Sequence, residues 1–261
     1  MRFGAQLYTV REFTQTFRDF ADTIKKIAAI GYDCVQISAV SPDIPALEIA
    51  ETCQAYNLEI VIAHTDPLRV LEETDEVIKD HKAMGAKYVG IGSIPKSYGY
   101  DKAGFRRFIT DFIPVARTIK ESGLQFMYHN HYNEFEKFDG KVALDYLAEK
   151  FTDMGFTLDV FWVQAGGGDP AYWINRLAGR VDVLHLKDYA IIEGKSRMAE
   201  VMTGNLNWPA IFQAAEDAGV KYGMVEQDEC YGKDPFECLR SSLQRLKAEG
   251  PIFKTKTSED E

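Results

Sequence analysis

The chain has no surplus of positive charge, no paired cysteines and no long apolar run, and each absence closes a class of function. Lys and Arg number 30 against 40 Asp and Glu, a formal net charge of −10. Phosphate backbones need a basic footprint, so nucleic acid is a poor partner. An anionic membrane surface is disfavoured for the same reason. A small anionic ligand stays open, because a local cluster of cations can bind one. No apolar run approaches the roughly 20 residues of a membrane helix. The opening M-R-F-G-A-Q-L-Y is too short and mixed for a secretory signal, and the expectation is a cytoplasmic protein. Cys34, Cys53, Cys230 and Cys238 form no C-x-x-C pair. They read as buried small hydrophobes in a reducing compartment. No G-x-G-x-x-G follows the first strand, which argues against a doubly wound dinucleotide fold.

What is present is a repeating alternation of short apolar strands and amphipathic helices. Gly31, Gly85, Gly123, Gly155 and Gly219 each precede a β-rich run, as expected of residues ending helices in the left-handed region. Eight strands are predicted near Phe3–Tyr8, Cys34–Ile37, Glu59–Ala63, Tyr88–Ile91, Gln125–His129, Phe156–Asp159, Val183–Leu186 and Gly223–Glu226. Phe17, Phe20, Ile24, Ile27 and Ala28 share one face of the first helix. Asp101 is placed to cap the fourth helix, and Pro170 to open a later one. Strands alternating with helices argue for a parallel sheet. Eight such units in 261 residues predict one (β/α)8 barrel over residues 1–251 with a polar tail at 252–261.

Active sites of such barrels lie at the C-terminal ends of the strands. The polar residues there are Gln6 and Tyr8, Gln36, His64, Ser93, the group His129, Asn130 and His131, then Asp159, the group His185, Lys187 and Asp188, and finally Glu226, Gln227 and Asp228. Four of the five histidines fall in this set, and only His81 lies on a helix. A carboxylate directly after an apolar strand, as in Y-G-M-V-E-Q-D, is costly to bury alone, and a cation is an economical partner. Glutamates, an aspartate and a histidine form an oxygen-rich set that suits Mn²⁺ or Mg²⁺, with Zn²⁺ and Co²⁺ as alternatives. A metal with open positions acts as a Lewis acid and stabilises an enediolate, while carboxylates move the proton. Tyr8, Phe161, Trp162 and Trp208 are candidates for an apolar pocket wall.

The segments G-A-Q-L-Y-T-V-R, H-N-H-x-x-E-F, L-D-V-F-W, H-L-K-D, N-W-P-A-I-F and V-E-Q-D together resemble the xylose-isomerase-like barrel superfamily, the sugar phosphate isomerase/epimerase group. The resemblance covers nearly the whole chain. It implies a metal held by one residue from the end of each of strands five to eight: Glu134, Asp159, His185 and Glu226. Glu136 or His131 are alternatives for the first. It also implies proton transfer by Glu134 and Glu226 from opposite faces of the substrate. Two departures stand out. Relatives often have a histidine three residues after the sixth-strand aspartate, where this chain has Trp162. They often have a glutamate soon after the seventh-strand histidine, where this chain has Lys187 and Asp188. Lys187 is then a substrate-binding or proton-shuttling residue, or the partner of Asp159 or Asp188 in a salt bridge. Gln6, Tyr8, His64, His129, His131, Trp162 and Arg197 complete the candidate substrate site.

The expected function is a metal-dependent isomerase or epimerase of a keto-sugar or related polyol-derived carbonyl compound. The expected partner is a small sugar-like molecule, and a homo-oligomer is compatible with the sequence. The rival on the same scaffold is a lyase or dehydratase, akin to inosose dehydratases or enzymes that cleave 3-keto-glycosides. A nuclease of the endonuclease IV type needs more histidines and a basic face. A non-catalytic sugar-binding protein would have no use for a complete ligand set.

Overall fold

A computed structural model describes residues 1–249, so the tail expected at 252–261 lies outside the described residues. Eight parallel strands close a barrel: β1 (Arg2–Gln6), β2 (Cys34–Ile37), β3 (Glu59–His64), β4 (Tyr88–Ile91), β5 (Gln125–His129), β6 (Gly155–Asp159), β7 (Val183–Leu186) and β8 (Tyr222–Val225). They pair in chain order, and β8 closes onto β1 with Arg2 opposite Tyr222 and Ala5 opposite Val225. β2, β4, β5 and β7 have the expected bounds, while β1, β3, β6 and β8 differ by one or two residues at their ends. Tyr8 is not in β1, because the Gln6 side chain accepts the Tyr8 N–H at 2.6 Å and starts a run of 3₁₀ turns at Leu7–Phe13.

Helices surround the barrel and bury their apolar stripes on it. In Phe17–Ile30 the residues Phe20, Ile24 and Ile27 are buried, while Phe17 at its start is half exposed. Asp101 caps Lys102–Glu121 through a 2.7 Å bond from the Gly104 N–H, and Pro170 opens Pro170–Arg176, both as expected. No described helix is long and apolar enough to cross a membrane. Two hairpins interrupt the regular units. Lys137–Phe138 pairs with Lys141–Val142 after β5, and Asp188–Ile192 pairs with Lys195–Ala199 after β7.

The barrel interior changes character along its axis. Cys34, Ile62, Tyr88, Met127, Val183, Tyr222 and Met224 form one apolar cluster near the N-terminal ends of the strands. Side chains alternate along a strand, so two residues further on the same inward rows carry Gln36, His64, His129, His185 and Glu226. Gly90 leaves the space His64 occupies, since a Cβ there would stand 2.5 Å from the imidazole Cδ2. Gly4 does the same in the apolar layer: a Cβ would meet Met224 Sδ at 2.5 Å and the Cys34 carbonyl oxygen at 2.9 Å. Because the Cys34 backbone cannot yield, Gly4→Ala is expected to destabilise the protein by about 1–3 kcal/mol. Urea unfolding of the variant against wild type measures this, and an unchanged midpoint would show that the barrel floor is loosely filled.

Candidate active site and metal centre

The site begins with Asp159, the last residue of β6. One carboxylate oxygen caps the helix Val160–Ala165 by accepting the Trp162 N–H at 2.9 Å. The other oxygen, Oδ2, turns into the barrel mouth. There it lies 3.1 Å from Lys187 Nζ, 3.3 Å from His129 Nε2 and 3.7 Å from His185 Nδ1. Asn130 fixes the residue from β5 by accepting the Asp159 N–H at 2.9 Å.

Both histidines are oriented from outside. His129 Nδ1 lies 3.2 Å from the Gly92 carbonyl, and His185 Nε2 lies 2.8 Å from Gln36 Oε1. Acceptors lie at both nitrogens of each ring, so the ring proton belongs on the outer nitrogen only when a cation holds the inner one. The inner nitrogens then carry lone pairs, and each faces a carboxylate oxygen: His129 Nε2 faces Asp159 Oδ2, and His185 Nδ1 faces Glu226 Oε2 at 2.8 Å. His185 Nδ1 and Glu226 Oε2 are buried and lack an aligned hydrogen bond. Burial disfavours a charged His185, but Glu226 and Asp159 raise its pKa to about 9, so without a metal a proton sits between these atoms. A divalent cation would take its place, and an outer-shell acceptor behind each imidazole is the usual arrangement of a metal-bound histidine. One ligand atom each from His129, Asp159, His185 and Glu226 lies within 4.8 Å of the others. The residues therefore fit a metal. Two imidazoles and two carboxylates suit Zn²⁺, Co²⁺ or Mn²⁺ better than Mg²⁺.

Glu226, just past β8, is held by Gln6, whose Nε2 donates to Oε1 at 2.7 Å. Burial alone would raise its carboxyl pKa, but Lys187 and His185 overcome this and hold it well below the usual carboxylate range. Lys187 itself is 1% exposed. Its ammonium lies 2.8 Å from Asp228, 3.0 Å from Glu226 and 3.1 Å from Asp159. Burial would lower its pKa; the three carboxylates raise it instead. The other histidines at the mouth stay neutral. Burial, with His129 and Lys187 nearby, pushes His131 down to about 3, and burial with the neighbouring imidazoles holds His64 well below its ordinary value.

Glu134 does not join this group. The chain after β5 makes a 3₁₀ turn at Asn133–Phe135, which folds the carboxylate back beneath the segment. Fully buried, it accepts the Tyr128 hydroxyl at 2.5 Å and the His131 N–H at 2.7 Å. Burial raises its pKa despite these bonds. His129 occupies the fifth-strand position instead. Glu136, the other alternative, follows that turn and is likewise outside the group.

A cavity of about 470 Å³ opens above the cluster, and Gln6, Tyr8, His64, His129 and His131 line it. Trp162 stands behind them, 5.2 Å from the His131 ring, with Lys187 Nζ 5.4 Å from its own ring centre. Arg197 is elsewhere: the hairpin after β7 carries it to a separate cavity, where its guanidinium lies over Tyr231 at 4.7 Å. Trp208 is buried under that hairpin, its indole N–H donating to Asp188 at 2.7 Å, and Phe161 is buried too. Neither lines the central cavity. Asp228 does line it; its signal in the sequence is the two-residue spacing from Glu226.

Two variants separate the fifth-strand residues. His129→Ala is expected to lower divalent-metal affinity by at least about tenfold, while Glu134→Gln keeps it, and calorimetric titration with Mn²⁺ or Zn²⁺ reads both. The reverse pattern would return Glu134 to the ligand set. Lys187→Met leaves two buried carboxylates and the half-buried Asp228 short of one cation and is expected to cost about 3–5 kcal/mol in chelator-treated protein. Equal urea midpoints for that variant and wild type would mean that the ammonium does not hold the cluster together.

No curated protein sequence resembles the chain closely enough to count as a relative. A sugar phosphate isomerase/epimerase from Parabacteroides distasonis superposes with a TM-score of 0.77 at 23% identity, covering 95% of this chain and 93% of that one. A D-allulose 3-epimerase from Methylomonas sp. gives 0.71 at 15% identity over 95% and 97% of the two chains. A probable 3-DHS dehydratase from Bacillus anthracis, involved in petrobactin synthesis, gives 0.72 at 12% identity over 95% and 99%. These likenesses carry the fold. The sequence itself matches the family profile over residues 24–248, and the chain belongs to the xylose isomerase-like TIM barrel family.

Proposed function

We propose that the chain is a divalent-metal-dependent isomerase or epimerase of a keto sugar, with Mn²⁺ the first metal to test and Co²⁺, Zn²⁺ and Mg²⁺ the alternatives. The observation that carries the reading is the convergence of two imidazole nitrogens and two carboxylate oxygens beside a sugar-sized cavity. The epimerases among the structural neighbours agree with it. Bound there, a divalent cation supplies Lewis acidity to a carbonyl oxygen.

The residues of the chain supply the rest. Glu226, ionised and held by Gln6, is the base that takes the proton from the carbon next to the carbonyl. Lys187, fixed beside Glu226 with its three N–H groups held by carboxylates, contributes its positive charge near the oxygen that gathers negative charge as the carbonyl π electrons shift. Return of the proton to the neighbouring carbon isomerises the sugar, and return to the other face of the same carbon epimerises it. The neutral His131 lines the β5 side of the cavity, where it orients the water that returns the proton to that second face. Tyr8 offers a ring to the C–H face of a sugar. Glu134 contributes by clamping Tyr128 to the His131 backbone, not by moving a proton.

Incubation of the metal-supplemented protein with keto sugars in D₂O tests the reading. Deuterium is expected at the carbon next to the carbonyl, detected by NMR. Glu226→Gln is expected to slow this exchange by about 10²–10⁴-fold with the fold and part of the metal retained. Wild-type exchange in that variant would remove Glu226 as the base. Deuterium incorporation accompanied by loss of water would move the protein to the dehydratase branch, and no exchange with any keto sugar would defeat the proposal.

A further inference from the structure

The central cavity is not alone at this end of the barrel. A second chamber of about 630 Å³ adjoins it, between the loops after β2 and β3 and the helices Ala46–Ala55 and Thr74–Met84. The two meet along a shared ridge of Ser38, Ala39, His64, Thr65 and Asp66. Pockets that bury a small molecule span roughly 300–1,000 Å³, so the central chamber already suffices for one sugar ring. The lateral chamber is space beyond that need. Ile44, Ile49 and Met84 give it an apolar wall, and Ser38, Thr65 and Asp66 give it hydrogen-bonding groups on the side of the central site. This mixture matches a sugar ring, which presents C–H faces and hydroxyls together.

Charge restricts what either chamber can take. Lys187 is the one Lys or Arg lining the central chamber among the described residues, and three carboxylates surround it. A divalent cation and one ammonium would just neutralise Asp159, Glu226 and Asp228, leaving no positive charge over. Without the metal, the surplus is negative. In the lateral chamber Arg69 is committed to Asp80 at 2.7 Å and Glu73 at 3.1 Å, and Asp66 and Asp80 add negative charge. A phosphate dianion would enter either chamber against carboxylates, with no free cation to receive it.

We infer that the substrate is an uncharged sugar of two linked rings, the carbonyl-bearing one in the central chamber and the second in the lateral chamber. The inference rests on the central site being a carbonyl-sugar site. It sets this chain apart from enzymes that grip a sugar by a terminal phosphate, and it gives the ridge residues Ser38 and Thr65 the task of meeting the linkage.

Calorimetric binding to the full-length, Mn²⁺-supplemented protein tests it with ketoses that differ in one substituent: D-fructose, fructose 6-phosphate, and turanose, lactulose and isomaltulose, which carry a second ring on different oxygens of the ketose. At least one glycosylated ketose is expected to bind about tenfold or more tighter than fructose, and the phosphate about tenfold or more weaker. Ala46→Trp and Met84→Trp fill the lateral chamber from its two walls and touch nothing in the catalytic cluster. Both are expected to abolish the advantage of the glycosylated ketose and to leave fructose binding and solvent exchange unchanged, with circular dichroism confirming the fold. Tighter binding of the phosphate, no advantage for any second ring, or an advantage that survives both fillings would overturn the inference while the isomerase reading stands. Failure of every ketose to bind or exchange would bring down that reading and this one together.

Discussion

An ammonium ion enclosed by three carboxylates at the mouth of the barrel sets the terms for everything around it. Lys187 could not be buried alone, since an uncompensated charge in a dry interior costs several kcal/mol, and neither could Asp159 or Glu226. Each makes the others tolerable. Three carboxylates against one ammonium still leave negative charge, and that residue of charge is what suits the imidazole pair to holding a cation. The outer partners of the cluster follow from the same need. Gln6, Gln36, Asn130 and the Gly92 carbonyl each satisfy or aim one polar group, so the cluster is held from β1, β2, β4 and β5 as well as from the strands that carry it. A site built this way tolerates little motion, and it belongs on strands for that reason.

Much of this was legible in the sequence because β-strands make side-chain direction periodic. Once the strands are placed, alternation dictates that Val183, His185 and Lys187 face one way, and that Tyr222, Met224 and Glu226 do too. The barrel then brings those rows together without further information. The salt bridge considered for Lys187 with Asp159 exists, although its other partners are Glu226 and Asp228 and not Asp188. Asp188 instead serves the hairpin, accepting bonds from the Gly204 N–H and the Trp208 indole.

The failures occur where the chain leaves the strands and the period is lost. Glu134 stands five residues past the end of β5, and no alternation reaches that far. A single 3₁₀ turn decides whether its carboxylate points into the mouth or beneath it, and the offer of two donors, the Tyr128 hydroxyl and the His131 N–H, decides the matter. Arg197 fails for a related reason. It lies on a two-stranded hairpin inserted after β7, whose antiparallel pairing carries the chain away from the axis. Tyr8 lines the cavity although it is not in a strand, since the turn started by the Gln6 side chain delivers it there. The lateral chamber had no sequence signal at all, because it is the space between elements and not a property of any one of them.

The two departures from the family pattern are coupled in space. Trp162 stands where relatives often have a histidine, and Lys187 lies close to where they often have a glutamate. In the fold the Trp162 ring faces the Lys187 ammonium at 5.4 Å, a separation at which an aromatic face attracts a cation. A histidine at 162 would present a weaker π face to that ammonium, and protonated it would repel it. A glutamate near 187 would add a fourth acid to a cluster already short of positive charge. Each substitution therefore makes sense in the presence of the other: the lysine removes the charge problem that a further carboxylate would create, and the tryptophan covers the lysine. What the pair removes from the pocket is an exchangeable imidazole and a free acid. What it leaves is a cation too well partnered to bind an anion, so recognition passes to the neutral groups of the mouth, Gln6, Ser38, His64, Thr65 and His131, and these suit hydroxyls.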